Sequence, residues 1–254
     1  MPNYTWPPMN KRKVMGQRLD RLDGIAKASG KAKYTSDLNK PEMQFTAILT
    51  CPHPHAIVRG LDASAAEKMP GVSGVRVVAK PGKEIQWAGD EVAYVSAASE
   101  TVARDAIRAI KVDYEVLPHF VREDKIEKAG ARARAAGEQV TGDPDQAFKD
   151  AEVTNEGDYG IPVITHCCLE PHGNVIQWKG DDINYWPSTQ NVSGVGGDLA
   201  RSLSVPGEKI HVQMDHIGGG FGAKFPSDRW GSESAQLSKG AGGKPVYLGD
   251  IWPS

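Results

Sequence analysis

The sequence is poor in cysteine. Three occur in 254 residues, at Cys51, Cys167 and Cys168, and no two stand in a C-x-x-C spacing. That excludes a disulfide scaffold, a zinc ribbon and a cysteine-ligated iron–sulfur cluster on this chain. Cys167 and Cys168 are adjacent and cannot pair with each other without strain. Long apolar runs are missing too, and no stretch approaches the roughly 20 residues of a membrane-spanning helix. The N-terminus, "MPNYTWPPMNKRKVMGQRLD", is basic but lacks the apolar core of a secretory leader. Together these absences lead to an expected cytoplasmic location. Charge of one sign is absent as well: 30 Lys and Arg against 32 Asp and Glu leave a formal net charge of -2. Neither nucleic acid nor an anionic membrane is an expected partner on electrostatic grounds.

What is present is a mixed α/β pattern. "MQFTAILTC" alternates apolar residues and reads as a strand. "LDASAAEKMPGV" offers Asp62 as an N-cap, a short helix and a Pro-Gly stop. "VSGVRVVAK" and "DEVAYVSAAS" read as further strands. Ser99 can cap the helix "SETVARDAIRAIKV", whose Ala103, Ala106, Ile107 and Ile110 share one face while Arg104, Asp105 and Arg108 face water. "KVDYEVLPHF" closes the block as a strand. A polar, Ala/Gly-rich stretch follows, with one capped helix starting near Asp143. From Val153 the pattern turns β-rich, with a hairpin signal at Lys179–Asp182 and a strand entering "STQ". "VSGVGGDLARSLSV" is a helix entered through glycines, "EKIHVQMDHI" a strand leading directly into "HIGGGFGAKF", "SDRWGSESAQLSKGAG" a helix and "KPVYLGD" a last strand.

The ten residues "HIGGGFGAKF", His216 to Phe225, hold four glycines. Such crowding marks a backbone that bends sharply or approaches something closely. A phosphate-binding P-loop requires Gly before its Lys and Ser or Thr after it, and Ala223 and Phe225 stand there instead. A dinucleotide fingerprint fares better, since Gly218, Gly220 and Ala223 satisfy G-x-G-x-x-[GA] after a strand. However, Pro226 delays the helix, and Asp250 lies too far on to meet a ribose. A tight strand-to-helix turn without a ligand is the remaining reading of the glycines taken alone.

Set beside "WPSTQNVSGVGGDLARSLSVPGEKIHVQMD" and "THCCLEPHGNVIQWKGDDI", the loop resembles the molybdopterin-binding large subunit of the xanthine oxidase (molybdenum hydroxylase) family. The segments "GKAKYTSDLNKPEMQFTAILTCPHPHAIVRGLDASAAEKMPGVSGVRVV" and "GDEVAYVSAASETVARDAIRAIKVDYEVLP" are similar to the opening of those subunits. The likeness is collinear from about Gly16 to Leu248. It implies an α+β fold, an α/β hammerhead domain (31–121) followed by the first part of a molybdenum-cofactor-binding domain (153–254); by composition, residues 1–30 read as an extended arm and 122–152 as a linker. It also implies a reaction, the hydroxylation of a carbon beside a heteroatom with oxygen from water. A glutamate serves as base, and two electrons leave through iron–sulfur clusters, usually to a flavin. The cofactors implied are molybdenum-molybdopterin in a dinucleotide form here, and 2Fe-2S clusters with FAD on partner subunits.

Carried over by position, Gln190 of "STQ" matches the family glutamine that hydrogen-bonds an oxygen near molybdenum. Gly219, Gly220, Phe221 and Gly222 match the loop against the metal centre, with Phe221 excluding water. Phe225 stands where purine-oxidising relatives carry a glutamate, so an aldehyde or aromatic heterocycle is expected rather than xanthine. Family subunits continue beyond the strand that ends here at "KPVYLGDIWPS", and the catalytic base lies in that continuation. No catalytic residue is therefore expected in this chain. Glu170 and Glu233 read as structural or surface carboxylates. The isolated chain is expected to be inactive, and either a truncated product or one completed by a second polypeptide. An unpaired edge on its last strand would receive that polypeptide. A catalytically silent assembly module of the same fold is the alternative, with a self-contained dinucleotide-binding protein behind it. His53, His55, His166 and His172, with Cys167 and Cys168, lie in segments whose family counterparts bind no separate metal. Trp178 is expected in the core.

Overall fold

The computed structural model describes residues 5–120, 123–133, 137–162 and 164–251. Residues 5–22 are largely exposed and lead to a short helix, α1 (Gly24–Ala28). The elements that follow are β1 (Gln44–Thr50), β2 (Ala56–Asp62), α2 (Ser64–Glu67), β3 (Val72–Val77), β4 (Glu84–Ile85), β5 (Glu91–Ala97), α3 (Glu100–Ala109) and β6 (Lys111–Val116). After α4 (Pro144–Asp150) come β7 (His172–Lys179), β8 (Asp182–Pro187), α5 (Val192–Leu203), β9 (Ile210–Val212), α6 (Asp228–Gly240) and β10 (Val246–Ile251). The fold is α+β, in two sheets of order β3-β5-β1-β10-β7-β8-β9 and β4-β2-β6.

Local chemistry accounts for most boundaries. The Ser99 side chain accepts from the Val102 N–H at 3.3 Å and starts α3. Ala103 and Ala106 are fully buried on that helix, while Arg104, Asp105 and Arg108 are exposed. Asp143 caps α4 through the Gln146 N–H at 3.0 Å. Asp62 sits one residue ahead of the α2 cap and accepts from the Ser64 N–H at 2.9 Å. The β7–β8 hairpin closes with Lys179 opposite Asp182 and Gly180 at φ +65°, the left-handed turn conformation glycine adopts freely.

The large sheet draws β3, β5 and β1 from the first half of the chain and β10, β7, β8 and β9 from the second. The join is a parallel pairing of β1 with β10, Gln44 opposite Val246. This corrects the expectation of an unpaired last strand: β10 lies inside the sheet, between β1 and β7, and the sheet edges are β3 and β9. Val246 and Leu248 are buried, and burial of that kind, worth about 1.5–3 kcal/mol per large side chain, favours an interior strand. Arg76 of β3 and Glu233 of α6 form an ion pair across the same junction.

Two strand expectations shrink. Residues 153–162 and 164–171 hold no strand, and β structure begins at His172. Val153, Tyr159, Ile161, Ile164 and Leu169 are exposed there, so their apolar alternation meets no neighbouring strand among the described residues. The strand before the glycine loop is only three residues long: after Gln213, whose N–H still donates to the Tyr185 carbonyl of β8 at 2.9 Å, Met214 to Ile217 are in no strand. Two strands were not foreseen: the short β4, and β2, central in the small sheet, whose Ala56 and Val58 are fully buried.

The core under the second half is built from Ile176 of β7, Ile183 and Tyr185 of β8, Val195 and Leu199 of α5 and Ala235 of α6. Trp178 packs against it and donates its ring N–H to the Ala235 carbonyl at 2.8 Å. These contacts set α5 and α6 on one face of the β7–β8 hairpin. The "STQ" turn before α5 and the glycine loop before α6 are thereby brought side by side.

Candidate functional site

The glycine loop is clamped at both ends. At its start, the Gly218 N–H donates to Glu170 Oε2 at 2.8 Å, and the Glu170 N–H donates back to the Gly218 carbonyl at 3.2 Å. A Cβ at position 218 would lie 2.4 Å from Glu170 Cβ, so only glycine permits this approach. At its end, the Lys224 carbonyl accepts from the Gln190 N–H at 2.9 Å and from Thr189 Oγ1 at 3.0 Å. Between the clamps, Gly219 and Gly222 have φ of +105° and +103°, and Phe221 has φ +49°. The Ala223 N–H closes the turn on the Gly220 carbonyl at 2.8 Å.

Gln190 fills the loop from the side. Its Oε1 accepts from the Gly222 N–H at 2.9 Å and from the Lys224 N–H at 3.3 Å. A peptide N–H can only donate, so the amide must present its oxygen to the loop. Its two-hydrogen nitrogen end, Nε2, then has no partner among the described residues. A Cβ at position 220 would stand 2.4 Å from Oε1, so glycine is required there by the glutamine. The N–H groups of Gly219, Gly220 and Phe221 likewise have no acceptor among the described residues. The loop therefore offers a group of main-chain and amide donors, the complement of an oxygen-rich anion.

Behind the loop lies Lys224, 2% exposed. Its Nζ donates to Ser188 Oγ at 2.6 Å and to the Glu170 and Pro171 carbonyls at 2.8 and 3.5 Å. It also faces Glu170 Oε2 at 3.6 Å. Glu170 is itself buried, and its second oxygen, Oε1, has no hydrogen-bond partner among the described residues. Sequence reasoning weighed Lys224 only as a P-loop lysine and set Glu170 aside. The signal that could have found them is a lysine inside a glycine-rich, otherwise apolar motif, where burial demands a counter-charge.

The segment before β7 lines the same loop. His166 Nε2 would lie 3.6 Å from a Cβ at position 222, and Cys168 Cβ 3.7 Å from one at position 219. Phe221 is 72% exposed and Phe225 49%, so both rings stand at the surface beside the donors. Asn191 joins the site to its helix: its side chain caps α5 through the Gly194 N–H at 3.1 Å and donates to the Phe225 carbonyl at 3.3 Å. Asp228, just beyond the loop, has its carboxyl raised above the usual range by desolvation first, then by the like charges of Glu91 and Asp198.

The structure thus brings Gln190 together with Gly219, Gly220, Phe221 and Gly222, and sets Phe225 at the rim. Glu233 lies elsewhere, paired with Arg76. His55 is remote too, bridging Glu84 Oε1 at 2.8 Å and the Pro118 carbonyl at 2.6 Å. His55 and Arg132 hold Glu84 below the ordinary carboxylate range through their hydrogen bonds. Among the described residues no group of three or more His, Cys, Asp or Glu is disposed to hold a metal ion directly. No helix of the described residues is long and apolar enough to cross a membrane.

Residues 126–248 match the molybdopterin cofactor-binding domain, and residues 29–80 match the a/b hammerhead domain of aldehyde oxidase and xanthine dehydrogenase. The chain is 28% identical over 236 residues to the aldehyde oxidoreductase molybdenum-binding subunit PaoC of Escherichia coli K12, covering 86% of this chain and 32% of PaoC. It is 28% identical over 237 residues to the nicotinate dehydrogenase large molybdopterin subunit of Eubacterium barkeri, covering 84% of this chain and 56% of that subunit. Among solved structures, quinoline 2-oxidoreductase of Pseudomonas putida 86 superposes with a TM-score of 0.81 at 25% identity, over 95% of this chain and 35% of that one. The chain spans about a third of the length of PaoC and of the quinoline enzyme chain, and about half that of the nicotinate dehydrogenase subunit. With both domain types matched in order and the fold shared nearly end to end, the chain belongs to the xanthine dehydrogenase and aldehyde oxidase family of molybdopterin-binding subunits.

Proposed function

We propose that this chain supplies one wall of the molybdopterin site in a molybdenum-dependent hydroxylase that oxidises an aldehyde or an aromatic heterocycle. Water is the oxygen source, and electrons pass to 2Fe-2S clusters, and onward to FAD where present, on partner subunits. The observation that carries the reading is the polarity of Gln190. Two loop N–H groups hold its oxygen, which leaves Nε2 as a donor beside three further unpaired N–H groups. A cluster of free N–H donors suits an oxygen-rich, anionic cofactor.

When bound, the cofactor supplies the two-electron oxidising centre, which no protein side chain can replace. Gln190 Nε2 would donate a hydrogen bond to an oxygen of the bound group and so help to hold it. The Gly219, Gly220 and Phe221 N–H groups bind negative charge without needing to reorganise. Phe221 and Phe225 provide the apolar rim that keeps water from the substrate. The absence of a glutamate at position 225 removes the purine contact and favours an uncharged aldehyde or ring. The base comes from outside this segment, because Glu170 is committed to Gly218 and Lys224. The relatives named for aldehydes, nicotinate and quinoline accord with this substrate class.

The test is native mass spectrometry of the assembly purified from its source, with molybdenum and pterin analysis. The expected result is this segment together with the remainder of the subunit, an iron–sulfur chain and a molybdopterin dinucleotide. Gln190→Ala should leave assembly intact and lower turnover. A chain that carries no pterin refutes the reading, and unchanged turnover removes Gln190 from the site.

A further inference from the structure

Glu170 and Lys224 form a buried pair that the binding role of the loop does not use directly. Their positions give them a task. Glu170 holds the first residue of the loop, through Gly218. Lys224 is the last residue before Phe225, and its own N–H and carbonyl hold the Gln190 side chain and main chain. The Nζ group ties that point to the strand-entry segment through the Glu170 carbonyl and to the "STQ" turn through Ser188 Oγ. Every backbone piece that shapes the site converges on this pair: residues 170–171, 188–190, 218 and 224. Both side chains are more than nine-tenths buried, and Glu170 Oε1 has no hydrogen-bond partner among the described residues to anchor it independently.

We propose that the Glu170–Lys224 pair is a positioning device that sets the direction of the Gln190 amide and the spread of the loop N–H groups. This rests on the cofactor reading above. The pair touches neither cofactor nor substrate; it acts through Gln190 and Gly218. A buried ion pair contributes little net stability but tolerates few geometries, and that property suits the fixing of a donor array. An apolar pair of similar volume would fill the space without specifying where the loop lies.

The experiment compares three variants in the complete assembly: Gln190→Ala, Lys224→Met, and Glu170→Gln with Lys224→Met together. Four quantities are read for each: molybdenum and pterin content, the paramagnetic resonance signal of the partly reduced metal, kcat, and KM. Lys224→Met strands the Glu170 carboxylate and can fail to assemble, so the double variant, which removes both charges, decides. The expected result is an assembled double variant with kcat lowered about 10- to 100-fold, the range seen when groups that orient metal-binding residues are removed. KM should change far less, and the resonance signal should shift in the direction given by Gln190→Ala. A double variant with wild-type kcat and signal overturns the proposal, and so does one that cannot assemble, since the pair then serves folding alone. If Gln190→Ala itself leaves cofactor content, signal and kcat untouched, it is the cofactor reading that falls.

Discussion

Gly220→Ala is the sharpest perturbation the site allows. The residue is not in a left-handed conformation, so alanine brings no backbone strain. The whole effect is steric: the new methyl would sit 2.4 Å from Gln190 Oε1, 2.8 Å from Cδ and 3.3 Å from Cβ. Oε1 cannot retreat without giving up the Gly222 and Lys224 N–H groups, at 2.9 and 3.3 Å. Each net hydrogen bond is worth about 0.5–1.5 kcal/mol, so losing both costs about 1–3 kcal/mol. For a chain of this size each kcal/mol moves the melting temperature by about 2–4 °C. The isolated chain should therefore melt about 2–12 °C lower, as read by circular dichroism. In the assembly, the displaced Nε2 should cost about 10- to 100-fold in turnover or cofactor content. Gly207→Ala is the control: nothing lies within 4 Å of its added methyl, and its melting temperature should not move. A Gly220→Ala chain that melts like wild type would refute the close packing of Gln190 against the loop. An assembly with full cofactor and turnover would refute the dependence of the site on that amide.

Two further outcomes follow from the fold. Leu199→Ala, at a fully buried position of α5 in the core beneath the site, should destabilise the chain by about 2–5 kcal/mol in urea titration. Asp182 ends the β7–β8 turn with its carboxyl lowered from 3.8, first by the His211 hydrogen bond and then by Lys209. A lowered carboxylate stabilises the fold above its unfolded value and loses that contribution as pH falls through the folded value. Asp182→Asn should therefore lower the melting temperature at pH 6, and the difference should shrink below pH 3.8 and vanish in stronger acid. A difference that persists unchanged at low pH would exclude this linkage.

The sequence by itself determined the local pieces and the family. Ser99, Asp143 and Gly180 are legible because caps and turns are set by neighbours a few residues away. The motif series read in order identified the kind of protein. Two errors arose where strand pairing was judged from the local pattern alone. The alternation after Val153 finds no strand to pair with, and the last strand, taken for an edge, lies between β1 and β10's other neighbour, β7. Only the tertiary structure decided which end of the Gln190 amide faces the loop, because that depends on two N–H groups 32 and 34 residues away. It alone decided that Lys224 and Glu170, 54 residues apart, share one dry space behind the site. Burial is a property of what packs around a side chain, and no window of sequence contains those neighbours.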